Sequence, residues 1–89
     1  MISRTTERFW KCCHDLPENI KKETKKSYQQ FKKTPYYPGL HFKRIHSTRA
    51  IFSLRITKDY RALGIQQDGN IIWFWIGSHS DYEALLKQG

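Results

Sequence analysis

The hydrophobic pattern changes period once, near Leu40, and that change constrains the architecture more than any other feature. Before it, apolar residues recur at three- and four-residue steps; after it, short β-branched and aromatic runs follow one another. Between Thr5 and His14, the residues Phe9, Trp10, Cys13 and then Leu16 define one helical face. Asp15-Leu16-Pro17-Glu18 combines a capping residue, a proline in the first turn and an acid three positions after the cap, which predicts a helix restart. The second helix is expected from about Pro17 to Lys33, burying Ile20, Thr24, Tyr28 and Phe31 and turning Lys21, Lys22, Lys25, Lys26 and Lys32 outward. The prolines and glycine of Thr34-Pro35-Tyr36-Tyr37-Pro38-Gly39 end it.

Beyond Leu40, strands are expected at Phe42 to Ile45, Ile51 to Ile56, Tyr60 to Ile65 and Ile71 to Ile76. Ser47-Thr48-Arg49, Thr57-Lys58-Asp59 and Asp68-Gly69 separate them, the last being a favoured pair for a two-residue hairpin. Connections this short join only antiparallel neighbours. Ile71 to Ile76 is apolar on both faces and reads as a central strand. Asp81 to Lys87 closes the chain as a short helix using Tyr82, Leu85 and Leu86. The expected class is α+β: an N-terminal α-hairpin packed on one face of a roughly four-stranded antiparallel sheet, with a short C-terminal helix. Residues 1–89 form a single domain on this reading, with no repeat or linker.

Charge narrows the partners. Sixteen Lys and Arg against eight Asp and Glu give a net +8 on 89 residues, a density that attracts polyanions. Nucleic acid is the commonest such partner, with an acidic protein or an anionic surface as the others. No apolar run approaches the ~20 residues that span a bilayer, and the opening segment lacks a secretory pattern. Adjacent Cys12 and Cys13 suit reduced thiols, and a cytoplasmic protein with no membrane partner is expected. His14, His41, His46 and His79 show no metal-ligand spacing, so neither a metal nor another cofactor is expected.

Strand alternation then selects a candidate site. Phe52, Leu54 and Ile56 share one face and belong under the helices, which turns Arg55 to the open side in mid-strand. Arg61 opens the next strand, and either Lys43 or Arg44 adds a cation from the first. Gly77-Ser78-His79-Ser80-Asp81-Tyr82 arrives just past the central strand. RNA breaks when its 2′-hydroxyl attacks the adjacent phosphate, helped by a base, an acid and fixed cations, with no metal required. His79 has the side chain for proton transfer near neutral pH, Tyr82 for donating a proton or stacking on a base, and Arg55, Arg61 and Lys43 for holding phosphate. A structural reading stands beside each: solvated arginines, a helix cap at His79, Ser78 or Ser80, a core anchor at Tyr82, and packing roles for Trp73 and Trp75.

Several of these motifs resemble the RelE/ParE superfamily of toxins. They are Phe9-Trp10, Leu16-Pro17, Tyr28, Phe31, Pro35 and Leu40-His41-Phe42-Lys43, then Phe52-Ser53-Leu54-Arg55-Ile56, Tyr60-Arg61-Ala62-Leu63 and Ile72 through Tyr82. The resemblance covers nearly the whole chain. It implies the toxin of a type II toxin–antitoxin system, neutralised by a cognate acidic antitoxin. Relatives of RelE, YoeB and HigB cleave mRNA, most of them on the ribosome, whereas relatives of ParE bind DNA gyrase. On the nuclease pattern, Arg55 and Arg61 match phosphate-binding arginines, His79 and Tyr82 match acid/base and base-positioning residues, and Lys43 corresponds to a strand lysine. The family usually begins with a strand, for which Ile2 to Thr5 is the only stretch. The strand glutamate that acts as base in YoeB-like enzymes has no counterpart, since Glu83 lies in another segment. Three functions therefore stay open: an mRNA endonuclease that inhibits translation, a gyrase inhibitor, and an inactive basic nucleic-acid-binding domain.

Overall fold

The computed structural model describes residues 2–46 and 48–88. Strand β1 (Ile2–Thr5) leads into α1 (Glu7–His14) and α2 (Glu18–Lys33), and a 3₁₀ turn at Pro38–Leu40 precedes the remaining strands. These are β2 (Lys43–Arg44), β3 (Ile51–Thr57), β4 (Tyr60–Gln67) and β5 (Asn70–Ser78), followed by α3 (His79–Gln88). The sheet order is β1-β5-β4-β3-β2. Four strands form the expected antiparallel meander; the fifth, β1, pairs parallel with β5 and corrects the strand count. Parallel pairing is available because α1 and α2 supply the long crossover it requires. Ser47, part of one expected turn, lies outside the described residues.

The helices begin for different reasons. Thr6, in extended backbone, accepts the Phe9 N–H on its hydroxyl at 3.1 Å and so caps α1. At α2 the cap position is Pro17, without a side-chain bond, while Asp15 instead ends α1 by donating its N–H to Cys13. The expected Asp15 cap is thus two residues early, and the proline's fixed φ starts the helix. Trp10 also departs from expectation. It is 44% exposed, because a two-turn helix presents only the Phe9 and Cys13 row to the sheet.

The core lies between the α-hairpin and the sheet. Trp73 is 1% exposed and Phe31 likewise, with ring centroids 5.2 Å apart edge to face. Phe42 meets Phe31 at 4.9 Å and stacks on Phe52 at 4.8 Å, extending the cluster to the β2 edge. Gly64 stands opposite Trp73 because a Cβ there would come within 2.7 Å of its ring. Between Leu63 and Gly64 the β4–β5 register shifts: Leu63 opposes Trp75, Gly64 opposes Trp73, and Phe74 is the extra residue. This bulge sends Ile71, Trp73 and Ile76 into the core and leaves Phe74 and Trp75 with Leu63 on the far face. The Asp68-Gly69 hairpin forms as expected, with φ of 52° and 81° at the two turn residues.

Candidate functional site

The β3–β4 register makes Arg55 and Arg61 direct cross-strand partners on the face away from the α-hairpin. Like charges placed opposite each other repel, so the pair favours an anion between or above them. Among the described residues neither arginine forms an ion pair with a carboxylate. Arg61 instead curls over the Thr57-Lys58-Asp59-Tyr60 turn. Its Nη1 donates to the main-chain oxygens of Thr57 at 2.6 Å, Tyr60 at 3.0 Å and Lys58 at 3.2 Å. Burial first, and the Arg55 charge second, push the Arg61 guanidinium below its ordinary value, while Tyr82 and Asp59 oppose the shift. An arginine so held still keeps its proton at any ordinary pH.

Helix α3 brings the remaining groups to this end of the sheet. The His79 N–H donates to Asp59 O at 2.7 Å, tying the helix start to the β3–β4 turn. Ser78 is the capping side chain, accepting the Asp81 N–H at 3.2 Å, so His79 is free of that duty. Its Nδ1 lies 3.5 Å from Glu83 Oε1, one helical turn on, and its ring centroid is 5.9 Å from that of Tyr82. Tyr82 is only 8% exposed and sits near enough to Arg61 to influence its charge. The tyrosine therefore anchors α3 and also borders the arginine pair.

Of the strand cations, register selects one. Lys43 opposes Ser53 and so shares a face with Arg55; Arg44 opposes Phe52, on the other face. The Arg44 Nε donates to His46 O at 3.1 Å and Arg49 O at 3.2 Å, holding the β2–β3 connection rather than joining the arginine pair. Trp73 lies in the core, and Trp75 lays its ring over Gly77, opposite Arg61. Among the described residues there is no cluster of three or more side chains suited to a metal. Farther along the same face, Ile51, Leu63, Phe74, Leu85 and Leu86 line a groove of about 870 Å³ that includes none of the expected site residues.

Two neighbours went unassigned in the sequence. His41 approaches Arg55, Nε2 to Nη1, at 3.5 Å. Continuing the Lys43–Ser53 register by two residues places position 41 opposite position 55, a signal present in the strand spacing. Glu83 follows His79 by four residues, the spacing that brings side chains together on a helix.

A two-layer molecule with an α-hairpin on one sheet face and paired arginines on the other has the fold of the RelE-type toxins. The RelE of a RelB–RelE antitoxin–toxin complex from Methanococcus jannaschii superposes with a TM-score of 0.74 at 16% identity, covering 92% of this chain and 96% of that one. The RelBE2 toxin–antitoxin complex of Mycobacterium tuberculosis matches with a TM-score of 0.67 at 18% identity, over 88% of this chain and 96% of the other. YafQ from Escherichia coli gives 0.62 at 11% identity, over 90% and 94%. A search of curated protein sequences gives no match. The ParE-like toxin domain model matches residues 18–84, and the chain belongs to that family.

Proposed function

We propose that the protein is the toxin of a toxin–antitoxin pair and acts as a metal-independent mRNA endonuclease that blocks translation. The observation that carries this reading is the Arg55–Arg61 cross-strand pair, which has no carboxylate partner among the described residues and adjoins His79 and Tyr82 at one end of the sheet. The two guanidiniums would hold the scissile phosphate and stabilise the charge that grows on it during attack by the 2′-hydroxyl. His79, oriented by Glu83, would transfer a proton, and Lys43 would meet a flanking phosphate. Such a protein works in the cytoplasm, held silent by an acidic antitoxin; the M. jannaschii and M. tuberculosis neighbours were both solved as toxin–antitoxin complexes.

Induced expression with and without substitutions tests the reading. Wild type should arrest growth and fragment mRNA, whereas His79→Ala and Arg61→Ala should do neither. Growth arrest by both variants at the wild-type level would refute it. Burial of Tyr82, which removes its ring from base stacking in this conformation, favours a second reading: a ParE-like toxin that inhibits DNA gyrase without cleaving RNA. That reading predicts inhibited supercoiling, intact mRNA and indifference to His79→Ala. Harmless expression of wild type without any partner would leave only an inactive basic domain.

A further inference from the structure

We propose that His41 is the proton acceptor of this site, working across the arginine pair from His79 as proton donor. The inference rests on the nuclease reading above and supplies the base which that reading lacks.

Three observations carry it. Placement across the sheet is the first: His41, just ahead of β2, reaches Arg55 at 3.5 Å, Arg55 opposes Arg61, and Arg61 opposes Gly77, two residues before His79. The two histidines therefore flank the arginines from opposite sides, as acid and base must flank a phosphorus undergoing in-line displacement. The second is backbone conformation. His41 adopts φ 47° and ψ 42°, the left-handed region that few non-glycine residues occupy. Its N–H bond to Pro38 O at 3.2 Å and the buried Leu40 before it maintain that conformation, and an exposed imidazole is what it presents.

The third is a contrast between the two rings. Arg55 faces His41 Nε2 at 3.5 Å, so that nitrogen offers its lone pair; Lys43 is the other charged group beside it on that edge. Glu83 faces His79 Nδ1 at 3.5 Å, so that nitrogen presents a proton to a carboxylate that also favours the doubly protonated ring, with Asp59, Arg61 and Tyr82 as ionisable groups at the same end of the sheet. Opposite partners on two like groups are how acid and base roles become divided.

The step balances without a further reactant. A phosphate between the guanidiniums draws Arg55 from His41, whose freed Nε2 takes the 2′-hydroxyl proton. The 2′ oxygen forms its bond to phosphorus, and the bond from phosphorus to the 5′ oxygen breaks with its electron pair on that oxygen. His79 enters the step doubly protonated and gives its Nε2 proton to the leaving oxygen, keeping the Nδ1 proton toward Glu83, which yields a 2′,3′-cyclic phosphate, a 5′-hydroxyl and a proton now held on His41.

Cleavage of one RNA sequence, free and on programmed ribosomes, tests the assignment when a second substrate carries sulfur in place of the scissile 5′ oxygen. Sulfur leaves without needing a proton. Loss of either histidine should slow the oxygen substrate about 10²–10⁴-fold. The sulfur substrate should restore His79→Ala and leave His41→Asn slow. Asparagine tolerates the left-handed backbone and neither takes nor gives a proton, and a melting curve like that of wild type would verify the fold. The rate–pH profile of His41→Asn should lose its acid limb. Near-wild-type cleavage by His41→Asn, or its rescue by sulfur, would overturn the proposal while the nuclease reading stands. Intact RNA after treatment with wild type in both settings would overturn both.

Discussion

The two faces of the sheet are built to different ends. Under the α-hairpin, Phe31, Leu54, Ala62, Ile71, Trp73 and Ile76 are all buried, and Phe31 and Trp73 meet edge to face. On the far face, α3 buries Tyr82 but leaves Leu85 37% and Leu86 42% exposed beside an open groove, and two arginines stand side by side. The first face gains stability from packing. The second accepts like-charge repulsion and exposed apolar area, which suits a surface meant to be covered by something else. The proposed site lies on that second face, where exposure and like-charge repulsion have a use.

The largest contrast should come from Trp73→Ala and Arg55→Gln. Removing Trp73 should lower unfolding free energy by about 3–5 kcal/mol in chemical denaturation, enough to unfold so small a domain. Arg55→Gln should leave the melting temperature unchanged or raised, since it relieves the repulsion with Arg61, while RNA cleavage falls about 10²–10³-fold. A destabilised Arg55→Gln would show that the pair is structural.

A smaller contrast compares two glycines. A Cβ at Gly64 would lie 2.7 Å from Trp73, and one at Gly77 would lie 2.5 Å from Trp75. Trp73 is 1% exposed, so Gly64→Ala should cost about 1–3 kcal/mol; Trp75, on the open face, is only half-buried, so Gly77→Ala should cost less. Equal losses in parallel denaturation curves would contradict the difference drawn between the faces. Leu85→Ala should cost about 1 kcal/mol or less, because that side chain is already partly in water.

The smallest effect is one of pH. Burial pushes the Cys13 thiol up, with nearby Lys21 opposing. A raised folded value favours the protonated thiol, so its contribution is complete below the ordinary thiol value of about 8.5 and is lost as pH rises through the folded value. Denaturation midpoints should hold near neutrality and decline in alkali, less so in Cys13→Ser relative to its own neutral value.

Much of this fold was legible because its signals are local. The Asp68-Gly69 hairpin, the lysine-bearing outer face of α2 and the alternation of Leu54, Arg55 and Ile56 each follow from neighbours in the chain. Strand β1 was harder to read, having only four residues; it is secured by distant partners, such as Trp73 Nε1 donating to Ser3 Oγ at 3.0 Å. The bulge at Phe74 is equally non-local, so no alternation pattern tells that Trp75 parts from Trp73. For the site, Arg55 and Arg61 follow from strand period. The choice of Lys43 over Arg44 needed the register, and the approach of His41 to Arg55 needed both the register and a left-handed turn.

The most direct test of a phosphate site on the open face compares two double variants in RNA binding and cleavage. Arg55→Gln with Arg61→Gln removes the paired guanidiniums; Lys22→Gln with Lys25→Gln removes the same charge from the outer face of α2. The arginine variant should lose cleavage by at least about 10²-fold. The lysine variant should cleave like wild type, with only a shallower salt dependence of binding. Equal losses from the two variants, or a greater loss from the lysines, would mean that overall charge binds the nucleic acid and that the arginine pair is no site.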